Sequence, residues 1–149
     1  MDPRSDVEIA ERRTNRRARV LVVSALLFIC MQATYFGRFG DNRLVDQVKV
    51  SAWLVWSIVL LFVLATGGGF AQTKAVRALM NDETTLAHRA DAFRWGFWAA
   101  MIGAIALYGV TMIDPETTVR EAVHLILTFG IGVAILRFGM LERRASRDG

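Results

Sequence analysis

Residues 50–70 read VSAWLVWSIVLLFVLATGGGF, twenty-one consecutive positions without an Asp, Glu, Lys or Arg. A helix needs roughly 17–25 such residues to cross the ~30 Å hydrocarbon core of a bilayer. Lipid offers no partner for bare backbone amides, so a spanning segment is either helical or part of a closed barrel. A barrel strand would alternate apolar and polar residues, and this stretch does not. It therefore predicts a transmembrane helix.

Three more blocks of the same kind flank it, at residues 20–36, 95–113 and 122–136. The last is short and contains His124, and it spans once Val119 and Phe138 join it. The chain has 149 residues, 54% of them hydrophobic, and most of its 18 basic and 14 acidic residues lie between the blocks. The predicted fold is an all-α membrane protein, an antiparallel four-helix transmembrane bundle with spans at about 20–36, 50–70, 95–113 and 119–138. Residues 1–149 form one membrane domain. The first block follows a charged stretch from Asp2 to Arg19 and lacks a small-x-small exit, so it reads as a span and not as a cleaved signal peptide.

Charge gives the direction of insertion. Fourteen of the Lys and Arg residues fall in the N-terminal segment, the middle loop and the C-terminal tail, against four in the other two loops. Basic residues are retained on the cytoplasmic side. This predicts a multi-pass protein of the bacterial inner membrane with both termini cytoplasmic. Residues 1–19 then form a cytoplasmic helical extension, 71–94 a cytoplasmic loop with a helix extension, and 139–149 a cytoplasmic tail. The basic pI of about 10.0 reads as orientation charge, not as a nucleic-acid surface. Aromatic residues mark the interfaces: Trp53, Trp56, Tyr35 and Phe36 outside, Trp95 and Trp98 inside.

Local signals refine the helices. Ser5 with Glu8 forms a capping-box pattern, so the first helix is expected to start near Asp6. Residues 37–48 read as an outer loop. Gly67, Gly68 and Gly69 end or kink the second helix, or allow a close approach, since each weakens it by ~1 kcal/mol relative to Ala. Asn81 is an N-cap, with Asp82 and Glu83 at the positive end of the helix dipole. The third helix then runs unbroken to Met112, about 46 Å at 1.5 Å per residue. Residues 114–117, Asp-Pro-Glu-Thr, start the fourth helix almost where the third ends, which makes the two a tight hairpin. Gly96, Ala100 and Ala104, Ala99 with Gly103, and Gly130 with Ala134 form small-xxx-small rows that let backbones approach in lipid.

Candidate functional residues are few. No acid lies deep in a span, which argues against a proton-driven exporter. His124 lies about two turns into the fourth span. Gln32 and Tyr108 are at similar depth, and the three form a candidate intramembrane polar cluster. The plain expectation is a histidine held by an interhelical hydrogen bond; a quinone, lipid headgroup, pigment or haem contact is the alternative. Cys30 is the single cysteine and predicts no intrachain disulfide. Asp82, Glu83, His88 and Arg89 cluster at the cytoplasmic start of the third helix as a candidate partner-binding patch. Their spacing does not match a zinc or di-iron site. No metal, no cofactor and no enzymatic motif is expected.

The run Met80-Asn81-Asp82-Glu83, with Arg89-Ala90 and then Gly96, resembles a group of uncharacterised small prokaryotic membrane proteins. Their third of four helices opens on an N-D-E motif. The chain differs from the pattern at Thr84, where the group commonly has a basic residue. The resemblance implies no activity. It implies a cytoplasmic contact of Asp82, Glu83 and Arg89 with a partner. The functional expectation is a non-enzymatic partner-binding, regulatory or accessory subunit. The alternatives are a small oligomeric carrier or channel for a neutral or lipidic substrate, and a cofactor-contacting subunit using His124. A protein partner or a homo-oligomer is expected, with no nucleic acid.

Overall fold

The computed structural model describes residues 3–36, 43–67, 83–113 and 118–148. Within them the chain is helical, without strands: α1 (Pro3–Phe36), α2 (Arg43–Thr66), α3 (Glu83–Ile113) and α4 (Val119–Asp148). The expected cap at Asn81, the caps at 114–117, Asp82, Gly68 and Gly69 lie outside the described residues. So do the side chains of Ser5 and Glu8.

Three of the four helices, α2 to α4, are long and apolar enough to cross a membrane. Of the expected lengths, that of α3 agrees with its 31 residues. α2 begins at Arg43, so Arg43 to Val48, expected as loop, are helical. Its end is clear: Gly67 has a φ of 69°, the left-handed conformation that closes a helix and that only glycine adopts without strain. Gly67 therefore terminates the helix. The largest difference is in α4, which runs on to Asp148. The expected tail from residue 139 is a continuation of the helix, with Gly139 and Glu142 buried in it.

α4 is the hub. It packs most extensively against α3 and nearly as much against α1, while α2 lies more lightly on α4 and α1. One long row on α4, His124, Thr128, Ile131, Ile135, Phe138 and Glu142, is buried along its length. These positions recur every three or four residues and so share one face. Rows from α1 (Ala18, Leu21, Ala25, Phe28) and α2 (Trp53, Ser57, Leu60, Leu64) meet it. α1 and α4 run antiparallel, since their contacts go from Arg17–Glu142 at one end to Gln32–His124 further along.

The α3–α4 seam is made of small residues. A Cβ built on Gly96 would lie 2.7 Å from the Ala134 Cβ and 2.7 Å from the Gly130 carbonyl. One on Gly130 would lie 3.1 Å from the Ala100 Cβ. The expected rows are thus the contact itself. Gly103 is looser, with Phe129 at 3.7 Å from its built Cβ, and Ala104 is half-buried. A second seam was not anticipated: Gly132 faces Ile29, and Gly139 faces Leu21 and Val22. Seven residues apart, these two glycines lie on one face of α4 and let α1 approach. The rest of α3 faces outward, with Phe97, Ile102 and Ile105 exposed, as a lipid-facing helix requires.

Candidate functional site

The polar residues converge in layers. The most buried layer lies at the end of the bundle that carries both termini. Glu142 is 2% exposed and forms an ion pair with Arg17 of α1. Its other oxygen meets His88 Nδ1 at 3.1 Å and accepts from the Thr85 hydroxyl at 3.3 Å, both from α3. Arg17 also donates to the Gly67 carbonyl at 2.8 Å, and its guanidinium lies 5.7 Å from the centre of the Phe138 ring. A single carboxylate thus joins α1, α3 and α4, and Arg17 brings in the end of α2. Charge-assisted bonds of this kind are about twice as strong as neutral ones.

Arg89 completes the layer. It donates to the Leu64 carbonyl at 2.9 Å and to that of Ala65. The last four carbonyls of a helix have no partner within it, and they form the negative end of its dipole. Arg17 and Arg89 supply both the donors and the positive charge to the end of α2.

One turn further into the bundle, Asp91 accepts from Arg137 at 2.7 Å and from Arg94 at 2.7 Å. The Arg137 guanidinium lies 5.7 Å from the Trp95 ring centre. Unlike the Glu142 layer, this group opens to the surface, with the Arg94 side chain 70% exposed.

The third layer surrounds His124, which is 5% exposed. Its Nε2 is hydrogen-bonded to Gln32 Oε1; with a carbonyl oxygen accepting, Nε2 carries the proton. The Trp53 ring covers the imidazole, centroids 4.0 Å apart. Trp53 Nε1 donates to Thr128 Oγ1 at 3.2 Å, and Thr128 donates back to the His124 carbonyl at 2.7 Å. His124 is therefore held by α1 and covered by α2.

The structure brings Gln32 and His124 together but leaves Tyr108 out. Tyr108 is 68% exposed, because α3 meets α4 through the Gly96 face and Tyr108 lies well round the helix from it. Trp53 was expected at the interface and is instead buried at 8%. Of the candidate partner-binding residues, His88 and Arg89 point inward to Glu142 and to α2, while Glu83 is exposed. Asp82 lies outside the described residues.

Sequence reasoning missed Glu142, Arg17, Asp91 and Thr128 as site residues. For Glu142 a signal existed: it continues the apolar spacing of Ile131, Ile135 and Phe138, an acid in register with a core row. Comparisons with models of protein families, with curated proteins and with solved structures return no match.

Proposed function

We propose that the chain crosses the inner membrane of a bacterium four times, with both termini cytoplasmic. It acts there as a non-enzymatic partner-binding or accessory protein. One observation carries this reading. The layer at Glu142 ties the cytoplasmic ends of all four helices together through Arg17, Gly67, Thr85 and His88. A buried, hydrogen-bonded ionic layer favours one arrangement of those ends. It supports a fixed platform, not an ion path. The platform presents the start of α3, where Glu83, Thr84, Leu86 and Ala87 are exposed. Within the candidate patch, Glu83 and Asp82 are then the contacting residues, and His88 and Arg89 hold the platform beneath them. The resemblance at residues 80–96 implies the same contact.

The test is co-purification from mild detergent with the charges of Asp82 and Glu83 reversed. Loss of a stoichiometric protein partner, with the helical spectrum unchanged, is the expected result. An unchanged set of partners refutes the reading.

A second reading has its own observation. A cavity of about 230 Å³ lies between α2, α3 and α4, walled by Leu61, Leu64, Phe93, Phe97 and Ile131. Its apolar lining suits a lipidic ligand, as the carrier alternative requires. The cofactor alternative gains less support, because Trp53 covers the His124 ring and Gln32 engages its Nε2.

A further inference from the structure

The Asp91 group differs from the Arg17–Glu142 pair in charge and in exposure. Two guanidiniums, Arg94 and Arg137, share one carboxylate, leaving a surplus of one positive charge. Their depth is given by the helices. Arg137 is eighteen residues from the first residue of α4, and Arg94 nineteen from the last of α3. At 1.5 Å per residue, both lie roughly 27–29 Å from the opposite end of the bundle, close to the ~30 Å thickness of the hydrocarbon core. The surplus charge therefore sits at headgroup level. Trp95, 49% exposed, and Trp98, 56% exposed, lie beside it on α3, and indole rings favour that same layer.

At headgroup level a surplus positive charge attracts the negative headgroups of the leaflet. Guanidinium pairs recognise phosphate oxygens through parallel N–H bonds. Basic groups between helices near the headgroups are the ordinary form of anionic lipid sites.

We propose that Arg94 and Arg137, held by Asp91, bind the phosphate of an anionic phospholipid, with Trp95 and Trp98 against its glycerol and upper acyl region. The inference rests on the membrane reading but not on the partner-binding one.

The test uses the full chain in a non-ionic detergent, titrated separately with phosphatidylglycerol, phosphatidylcholine and inorganic phosphate. Native mass spectrometry reads the bound species. A basic residue near an anionic surface contributes about five-fold in binding. The wild type is expected to retain phosphatidylglycerol several-fold better than phosphatidylcholine. Arg94→Gln is expected to lose about five-fold of that preference, and Arg94→Lys to keep most of it. Arg94 is exposed, so neither change threatens the fold.

Equal retention of the two lipids overturns the proposal, as does an unaltered preference in Arg94→Gln. Saturation by inorganic phosphate at lipid concentrations overturns the lipid assignment and leaves a phosphate site. A chain that stays monodisperse without detergent refutes the membrane reading itself.

Discussion

Replacing Glu142 by glutamine keeps the shape of the side chain and removes its charge. The Arg17 and Glu142 side chains are 7% and 3% exposed, so solvent screens little of their interaction. The substitution leaves the Arg17 cation buried opposite an amide whose NH2 group is itself a donor. Breaking a buried pair by removing one partner costs about 3–5 kcal/mol. Arg17 keeps its bond to the Gly67 carbonyl and its contact with the Phe138 ring, which places the expected loss at the lower end, about 3 kcal/mol. That is roughly a hundred-fold in the unfolding equilibrium. The assay is unfolding in mixed micelles with increasing dodecyl sulfate, followed by far-ultraviolet circular dichroism. Arg17→Met alone should cost a similar amount, since it leaves the buried carboxylate only Thr85 and His88 as partners. The double variant Arg17→Met with Glu142→Met should recover much of the loss, because an apolar pair of similar volume often matches a buried ion pair. The losses are then strongly non-additive, with the double variant costing less than either single change. A loss below ~1 kcal/mol in Glu142→Gln, the range of an exposed pair, would refute the buried knot.

The glycines give a ranked series. Gly96→Ala should cost the most, about 1–3 kcal/mol for overpacking, since its Cβ would meet atoms at 2.7 Å. Gly130→Ala, at 3.1 Å, should cost less. Gly109→Ala meets nothing within 4 Å and should be neutral or stabilising by up to ~1 kcal/mol. The same micelle titration orders them, and a Gly109 effect equal to that of Gly96 would contradict the seam. Gly67→Ala forces a Cβ into the left-handed conformation and should cost about 1–2 kcal/mol; no loss would remove Gly67 as the helix terminator. Trp53→Phe keeps the ring over His124 but deletes the donor to Thr128, with an expected loss of about 0.6 kcal/mol. Restoration of the loss by a second change, Thr128→Val, would indicate a genuine pair, and strictly additive losses would not.

Much of the fold was legible because lipid imposes a simple rule. Long uncharged runs can only be helices, so the apolar part of α2 and the 31-residue length of α3 follow from composition, while the charged start of α2 does not. The small-residue rows were legible too, since Gly96, Ala100, Gly130 and Ala134 meet as their spacing predicts. What could not be read was helix rotation. Trp53 and Trp56 look alike in sequence, both near the end of a span. They project 60° apart around α2, which leaves one 8% and the other 38% exposed. The same ignorance of rotation placed Tyr108 with His124 and left Trp53 out. The Glu142 layer was hidden for a different reason. Residues 139–149 are rich in charge, and a charged segment after a span reads as solvated tail. Only the packing of Gly139 against Leu21 and Val22 carries α1 far enough along α4 to bury an acid there. His88 and Arg89 were expected in a surface role and instead point inward, because nothing local says that Glu142 and the end of α2 lie beneath them.

The central claim is four crossings, with both termini and the middle loop on one side. The most direct measurement is labelling with a membrane-impermeant maleimide in bacterial cells. Cys30 is first replaced by serine, and single cysteines are then introduced as Ser5→Cys, Asp41→Cys, Thr73→Cys, Thr117→Cys and Ser146→Cys. The account predicts that positions 41 and 117 label in intact cells, while 5, 73 and 146 label only in inverted membrane vesicles. Labelling of 5 and 146 from opposite sides, or of 41 and 73 from the same side, would contradict it.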